Sequence, residues 1–187
     1  MNEKQKMLAG LNYDPSDRTL SADRASAESA CYELNQSHPI NSNRGAIISR
    51  LLGYETNASL NVPFYCDYGY NIHLGQNFYA NHGCTFLDCN TITIGDNCLL
   101  GPGVVIATAT HPLDPTERSS GLESALPIRL GHDVWLGANV TVCPGVTIGD
   151  NVVVGAGSVV VKDLPSNTIC VGNPAKVLRE NPPKTSK

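Results

Sequence analysis

Residues 130–162 read LGHDVWLGANVTVCPGVTIGDNVVVGAGSVVVK, and their beat decides the fold. Leu130, Leu136, Val142, Ile148, Val154 and Val160 recur at every sixth position, and Val134, Val140, Val146, Val152 and Ser158 each follow four residues behind. Glycine comes directly after the leading aliphatic at Gly131, Gly137, Gly149 and Gly155, where a corner is expected to need a residue tolerant of unusual dihedrals. Six residues therefore make one short strand and one turn. A strand that short cannot bury a face alone, so consecutive hexads stack into triangular coils, each shielding the next.

The same beat runs upstream through Ile94, Leu100 and Ile106, with Cys98 and Val104 trailing, and further back through Leu74, Ala80 and Phe86. A two-residue slip separates Phe86 from Ile94. An ordinary meander of short strands would not hold a six-residue period over so many successive hexads, and the reading is an all-β solenoid, a parallel β-helix of hexapeptide type. Between Ile106 and Leu130 the beat stops altogether. An excursion of that length inside a compact domain is uncommon unless it serves a function. Residues 107–127 form this extended loop, with His111 and Pro112 at its root, projecting from a corner toward a neighbouring subunit.

The first sixty residues follow different rules. Ser21 to Gln36 is rich in Ala, Glu and Leu and is expected to be helical up to the break at His38-Pro39. Asn41 to Leu52 reads as a second helix, with Ile47, Ile48, Leu51 and Leu52 on one side and Gly53 as its stop. Glu3 to Leu11 is a weaker third. Residues 1–60 are thus a helical cap over the open end of the solenoid, 61–180 the β-helix, and 181–187 a frayed tail.

Composition narrows the function classes. The 187 residues carry a net charge of −4 with scattered positive charges, which argues against nucleic acid as a partner. No signal-peptide pattern or membrane-length apolar run occurs, so a soluble cytoplasmic protein is expected. The seven cysteines (Cys31, Cys66, Cys84, Cys89, Cys98, Cys143 and Cys170) are odd in number and lack any CxxC, which disfavours a disulfide framework or zinc site. They read as small hydrophobes in a reducing compartment.

The segments YCDYGYNIHLGQNFYANHGCTFLD (65–88), GDNCLLGPGV (95–104), TATHPLDPTERSSG (108–121), DVWLGANVTVCPGVTIGDNVVVGAGSVVVKD (133–163) and VGNPAKVLRE (171–180) resemble the maltose and galactoside O-acetyltransferases of the hexapeptide superfamily. The likeness extends to the opening MLAGLNYDPSDRTL (7–20) and is closest to the maltose type. It implies a left-handed β-helix, a homotrimer, acetyl-coenzyme A held in a groove between neighbouring coils, and direct acetyl transfer to a sugar hydroxyl without a metal. His111 matches the family's catalytic histidine. The chemistry agrees, because a hydroxyl is a poor nucleophile near neutral pH and an ordinary imidazole, with a pKa of about 6.5, takes its proton readily.

For the acceptor, the resemblance implies Asp67, Asn81 and Asp88, with Asp17 a further candidate and Asp14 an alternative to it. The galactoside enzymes have a second carboxylate where this chain has Cys89. For acetyl-coenzyme A it implies backbone near Ala138 and Ala156, then Val161, Lys162, Lys176 and Arg179 toward the nucleotide phosphates. Related hexapeptide enzymes acetylate antibiotics or serine. Two readings from other classes make sharper demands. A β-helical zinc enzyme needs histidines converging on one metal, and His73, His82, His111 and His132 include no closely spaced pair. An ice-binding helix needs Thr-x-Thr on successive coils, which Thr91-Thr93 and Thr108-Thr110 do not continue.

Overall fold

In the computed structural model, which describes residues 1–38, 40 and 43–182, every leading aliphatic from Leu130 to Val160 points inward and is at most 3% exposed. The trailing series from Val134 to Ser158 is buried as well. These side chains fill a parallel β-solenoid with three faces. The first face stacks Ser59–Leu60, Tyr79–Ala80, Leu99–Leu100, Trp135–Leu136, Val153–Val154 and Thr168–Val171 in parallel, and Lys176–Glu180 closes it antiparallel. The second face holds Phe64–Cys66, Cys84–Leu87, Val105–Ala107, Thr141–Val142 and Val159–Val160. The third holds Ile72–Leu74, Ile92–Ile94, Ile128–Leu130 and Thr147–Ile148. Register keeps like on like: Ala80, Leu100, Leu136, Val154 and Cys170 form one inward column.

The corners correct one expectation. Gly131, Gly137, Gly149 and Gly155 all have ordinary φ; the positive φ falls two residues later, on Asp133, Asn139, Asn151 and Gly157. The leading glycines are required because there is no room for a Cβ. One placed on Gly137 would lie 2.6 Å from the Ala156 nitrogen in the next coil. At the corner from the third face to the first, Asn77, Asn97, Asp133, Asn151 and Asn167 take the left-handed conformation with φ of 53–60°. Asn and Asp tolerate it better than other side chains. Their amides also bond coil to coil, Asn77 Nδ2 to Asn97 Oδ1 at 3.0 Å and Asn151 Nδ2 to Asn167 Oδ1 at 2.9 Å.

Among the described residues three helices precede the coils: α1 (Glu3–Leu8), α2 (Arg18–Gln36) and α3 (Arg44–Leu52). Helix α2 starts three residues before the expected Ser21 because Asp17 caps it, its Oδ1 accepting the N–H of Thr19 and Leu20. Asn41 and Ser42, expected in the second helix, and Pro39 lie outside the described residues; α3 stops at Gly53, φ 81°, as expected. The cap meets the first coil through side chains that replace strand partners. Asn35 of α2 donates Nδ2–H to the Phe64 carbonyl at 3.0 Å and accepts the Phe64 N–H at 2.8 Å, and the Tyr54 hydroxyl accepts the Leu74 N–H at 2.7 Å. At the other end, Asn181, placed in the frayed tail by the sequence, is tied down. Its N–H reaches the Asn167 carbonyl at 2.7 Å and its amide bonds Asn151. Residues 183–187 of that tail lie outside the described residues.

The excursion after Ala107 is ordered. Ala109–Thr110 pairs antiparallel with Ser124–Ala125, and between them the short helix α4 (Pro115–Ser119) is capped by Asp114. Its base packs against its own chain, where Tyr13 and Glu123 form an antiparallel bridge. Among the described residues no helix is long and apolar enough to cross a membrane.

Candidate active site

The corner from the second face to the third is where the beat slips. Between Phe86 and Ile92 the chain carries two more residues than the equivalent corner between Val142 and Val146, and the surplus turns Asp88 inward. Asp88 is fully buried; its Oδ1 accepts the N–H groups of Asp67 at 3.0 Å and Tyr68 at 2.9 Å, while Oδ2 has no partner among the described residues. Burial, opposed by those two hydrogen bonds, pushes its carboxyl up to about 6. One coil further on, Thr108 is buried below it. The Thr108 hydroxyl donates to the Leu87 carbonyl and accepts the Asn90 N–H, so polar groups are stacked inside an otherwise aliphatic column. Asp88 thus works as a bracket that fixes the turn carrying Asp67 and Tyr68.

Above this corner lies a hollow of about 340 Å³ lined by Pro15, Arg24, Asp67, Tyr68, Leu87, Cys89, Ala109, His111 and Glu123. The loop supplies His111, half-exposed, and its returning strand supplies Glu123, whose Oε1 stands 3.8 Å from His111 Nε2. That is within ion-pair reach and longer than a hydrogen bond. The other Glu123 oxygen accepts the Tyr13 hydroxyl at 2.8 Å, and Tyr13 is fully buried. Tyr13, Glu123 and His111 therefore form a line from the core to the hollow. Across from them Arg24 of α2 donates to the Tyr68 hydroxyl at 2.7 Å and to the Pro15 carbonyl at 2.6 Å. The Cys89 thiol points at Asp67 Oδ2, 3.5 Å away. Burial pushes that thiol up to about 12, so it stays protonated and acts as a weak donor, not a nucleophile. Burial also raises the Asp67 carboxyl, with the Cys89 thiol and Arg24 pulling it back down.

Of the residues singled out by sequence, Asp67, Cys89 and His111 line this hollow and Asp88 supports it from below. The others stand elsewhere in the chain. The Asp17 carboxylate is taken up by the α2 cap and that of Asp14 by Ser16, and neither residue lines the hollow. Asn81, Ala138 and Ala156 stack at the corner from the first face to the second, one face-width away. Val161 and Lys162 are exposed just after the last strand of the second face, and Lys176 and Arg179 are exposed on the closing antiparallel strand. His73, His82 and His132 lie at three separate places on the coils, with His73 stacked on Tyr54, His82 against the Val62 carbonyl and His132 beside Asp96. Tyr13, Arg24, Tyr68 and Glu123 escaped the sequence reading. The slip before Ile94 was the available signal, since surplus residues at one corner mark where the aliphatic column makes room for polar groups.

Known proteins resemble the chain over nearly its whole length. Residues 127–162 match the bacterial transferase hexapeptide family (six repeats), 91–108 the hexapeptide repeat of succinyl-transferase, and 6–54 the maltose acetyltransferase hexapeptide capping motif. The crystal structure of a maltose O-acetyltransferase from Clostridium difficile 630 superposes with a TM-score of 0.96 at 44% identity, covering 98% of this chain and 99% of that one. A galactoside acetyltransferase in complex with coenzyme A gives 0.89 at 38% identity, covering 97% and 92%. A Schizosaccharomyces pombe protein provisionally named an acetyltransferase is 42% identical over 95% of this chain and 91% of its own.

Proposed function

Because the chain belongs to the hexapeptide-repeat acetyltransferases of the maltose and galactoside type, we propose that it transfers the acetyl group of acetyl-coenzyme A directly to a hydroxyl of a sugar. The observation that carries this reading is the Tyr13–Glu123–His111 line opening onto a hollow with Asp67, Arg24 and Tyr68 opposite. Glu123, at ion-pair reach of His111 Nε2, favours the imidazolium that forms once the ring has taken a proton. His111 takes the proton of the acceptor hydroxyl as its oxygen bonds to the thioester carbonyl; the C–S bond then breaks and the proton passes to the departing sulfur. Asp67, with Cys89 and Arg24 beside it, offers acceptors and donors to the remaining hydroxyls.

The donor side argues for assembly. Ala138 and Ala156 are one face away from His111 within a chain, so a site using both needs the corner of a second copy, and the acceptor candidate Asn81 stands at that same corner. The outward column of the first face is Tyr79, Leu99, Trp135, Val153 and Ile169, with Leu99 48% and Trp135 53% exposed, whereas the third face shows His73, Thr93, Arg129 and Thr147. An apolar stripe of that kind marks an interface. We read the working unit as a homotrimer with coenzyme A between coils, its phosphates met by Lys162, Lys176 and Arg179. The test is turnover of purified protein with acetyl-coenzyme A and a thiol reagent against glucose, maltose, galactosides and chloramphenicol, with light scattering for the mass. His111→Ala should lower kcat by roughly 10² to 10⁴ and leave the KM for acetyl-coenzyme A unchanged. Near-normal kcat in that variant would reduce the loop to a lid. Preference for chloramphenicol over every sugar, or full activity in a monomer, would replace the acceptor class or the assembly.

A further inference from the structure

Two cysteines stand apart from the chemistry above. Cys31 lies on α2 and is 3% exposed, and half-buried Cys66 ends the first strand of the second face; their sulfurs are 3.7 Å apart. The other sulfur contacts in the described chain go to oxygen: Cys84 to the Gly101 carbonyl, Cys98 to the Asp96 and Gly131 carbonyls, Cys89 to Asp67 and Cys170 to the Thr168 hydroxyl. We propose that Cys31 and Cys66 are a peroxide-sensitive dithiol that closes into a disulfide between the helical cap and the first coil.

Three observations carry it. The sulfurs are held in register, because Asn35, one helical turn beyond Cys31, makes its reciprocal pair of bonds with Phe64, two residues before Cys66. Bringing them to bonding distance needs about 1.7 Å of approach, from 3.7 Å to the usual 2.05 Å. A cavity of about 270 Å³, lined by both cysteines with Glu28, Tyr32, Gln36 and Tyr65, opens over the pair and admits a small hydroperoxide. The two thiols share one S–H···S contact in which either sulfur can donate, so either can attack and the other resolve.

In the reaction, one of the two sulfurs, as its thiolate, takes one peroxide oxygen as the O–O bond breaks, giving a sulfenic acid and hydroxide, which picks up a proton to become water. The second sulfur then bonds to the first, and the sulfenic hydroxyl leaves with the second thiol's proton as a second water. Two thiols lose two electrons and two protons, and hydrogen peroxide is reduced to two waters. A reducing dithiol reverses the bond by exchange.

The experiment treats the intact protein with hydrogen peroxide and digests it without reductant. A linked peptide pair containing Cys31 and Cys66 is expected, with titratable thiols falling by two from the seven in the sequence. Closing that loop should raise the thermal midpoint at fixed protein concentration by roughly 5–15 °C, reversibly with dithiothreitol. Cys31→Ser and Cys66→Ser should each abolish the linkage and the rise. Absence of the linked pair after exhaustive treatment, or a midpoint rise that persists in both serine variants, overturns the proposal. Should a serine variant not fold, the linked pair in the unaltered chain decides alone.

Discussion

Replacing Asp88 by asparagine tests the buried bracket directly. The carboxyl is fully enclosed, with one oxygen holding two backbone N–H groups and the other without a partner among the described residues, and its pKa sits at about 6 against 3.8 in an unfolded chain. The sign follows from proton binding. Between those two values the folded state keeps a proton that the unfolded state has lost, so the contribution to stability is fully present below pH 3.8 and disappears as pH rises through 6. At 1.36 kcal/mol per unit the whole change is about 3 kcal/mol, and about 2–3 kcal/mol of it falls between pH 4 and pH 7. The asparagine side chain would keep an oxygen for the two N–H groups and place its NH₂ where Oδ2 has no partner, a cost that does not vary with pH. Urea unfolding of both proteins at fixed concentration across that range supplies the assay. The difference curve, Asp88→Asn minus the unaltered chain, should climb in favour of the variant by about 2–3 kcal/mol, or roughly 1 M in urea midpoint. A difference flat to within about 0.5 kcal/mol would mean that Asp88 is solvated or already paired, and the bracket argument would fail.

Glu123→Gln keeps the shape of the line from Tyr13 to His111 but removes its charge; kcat should fall about 10- to 100-fold in steady-state assays, with the KM for acetyl-coenzyme A unchanged. Lys176→Ala should do the reverse, raising that KM about tenfold while kcat at saturation is kept. Asn35→Ala leaves the Phe64 N–H and carbonyl without their partner, and chemical denaturation should register a loss of about 1–3 kcal/mol.

The solenoid was readable because its physics is local and repeated. Each hexad places an aliphatic residue on the same axis, so Leu130 through Val160 declare the core without any knowledge of what packs on them. His111 drew attention for another reason, standing at the root of the one long break in the period, but its catalytic role came only from what the family resemblance implies. Glu123 and Tyr13 were not readable, since they are 110 residues apart and meet only because the excursion folds back onto the N-terminal segment. Arg24 was hidden inside a helix whose pattern reports packing and not which polar side chain overhangs a neighbouring hollow. The leading glycines misled in an instructive way. Sequence marks a glycine equally whether it is needed for its dihedral or for its missing Cβ, and only the distance from Gly137 to the next coil separates the two.

A stack of parallel strands is by nature a template: whatever pairs with its last rung exposes another rung, and growth has no internal reason to stop. This chain withholds the template at both ends by different means. At the start, Asn35 and Tyr54 occupy backbone groups of Phe64 and Leu74 that an incoming strand would need. At the finish, Lys176–Glu180 runs against the direction of all the strands before it on its face and offers an exposed edge carrying Lys176, Arg179 and Glu180. A second copy arriving end-on would meet reversed polarity and charge where it needs a parallel, neutral rung, so the length of the column is set by the chain itself, and the proposed trimer would have to form through its sides.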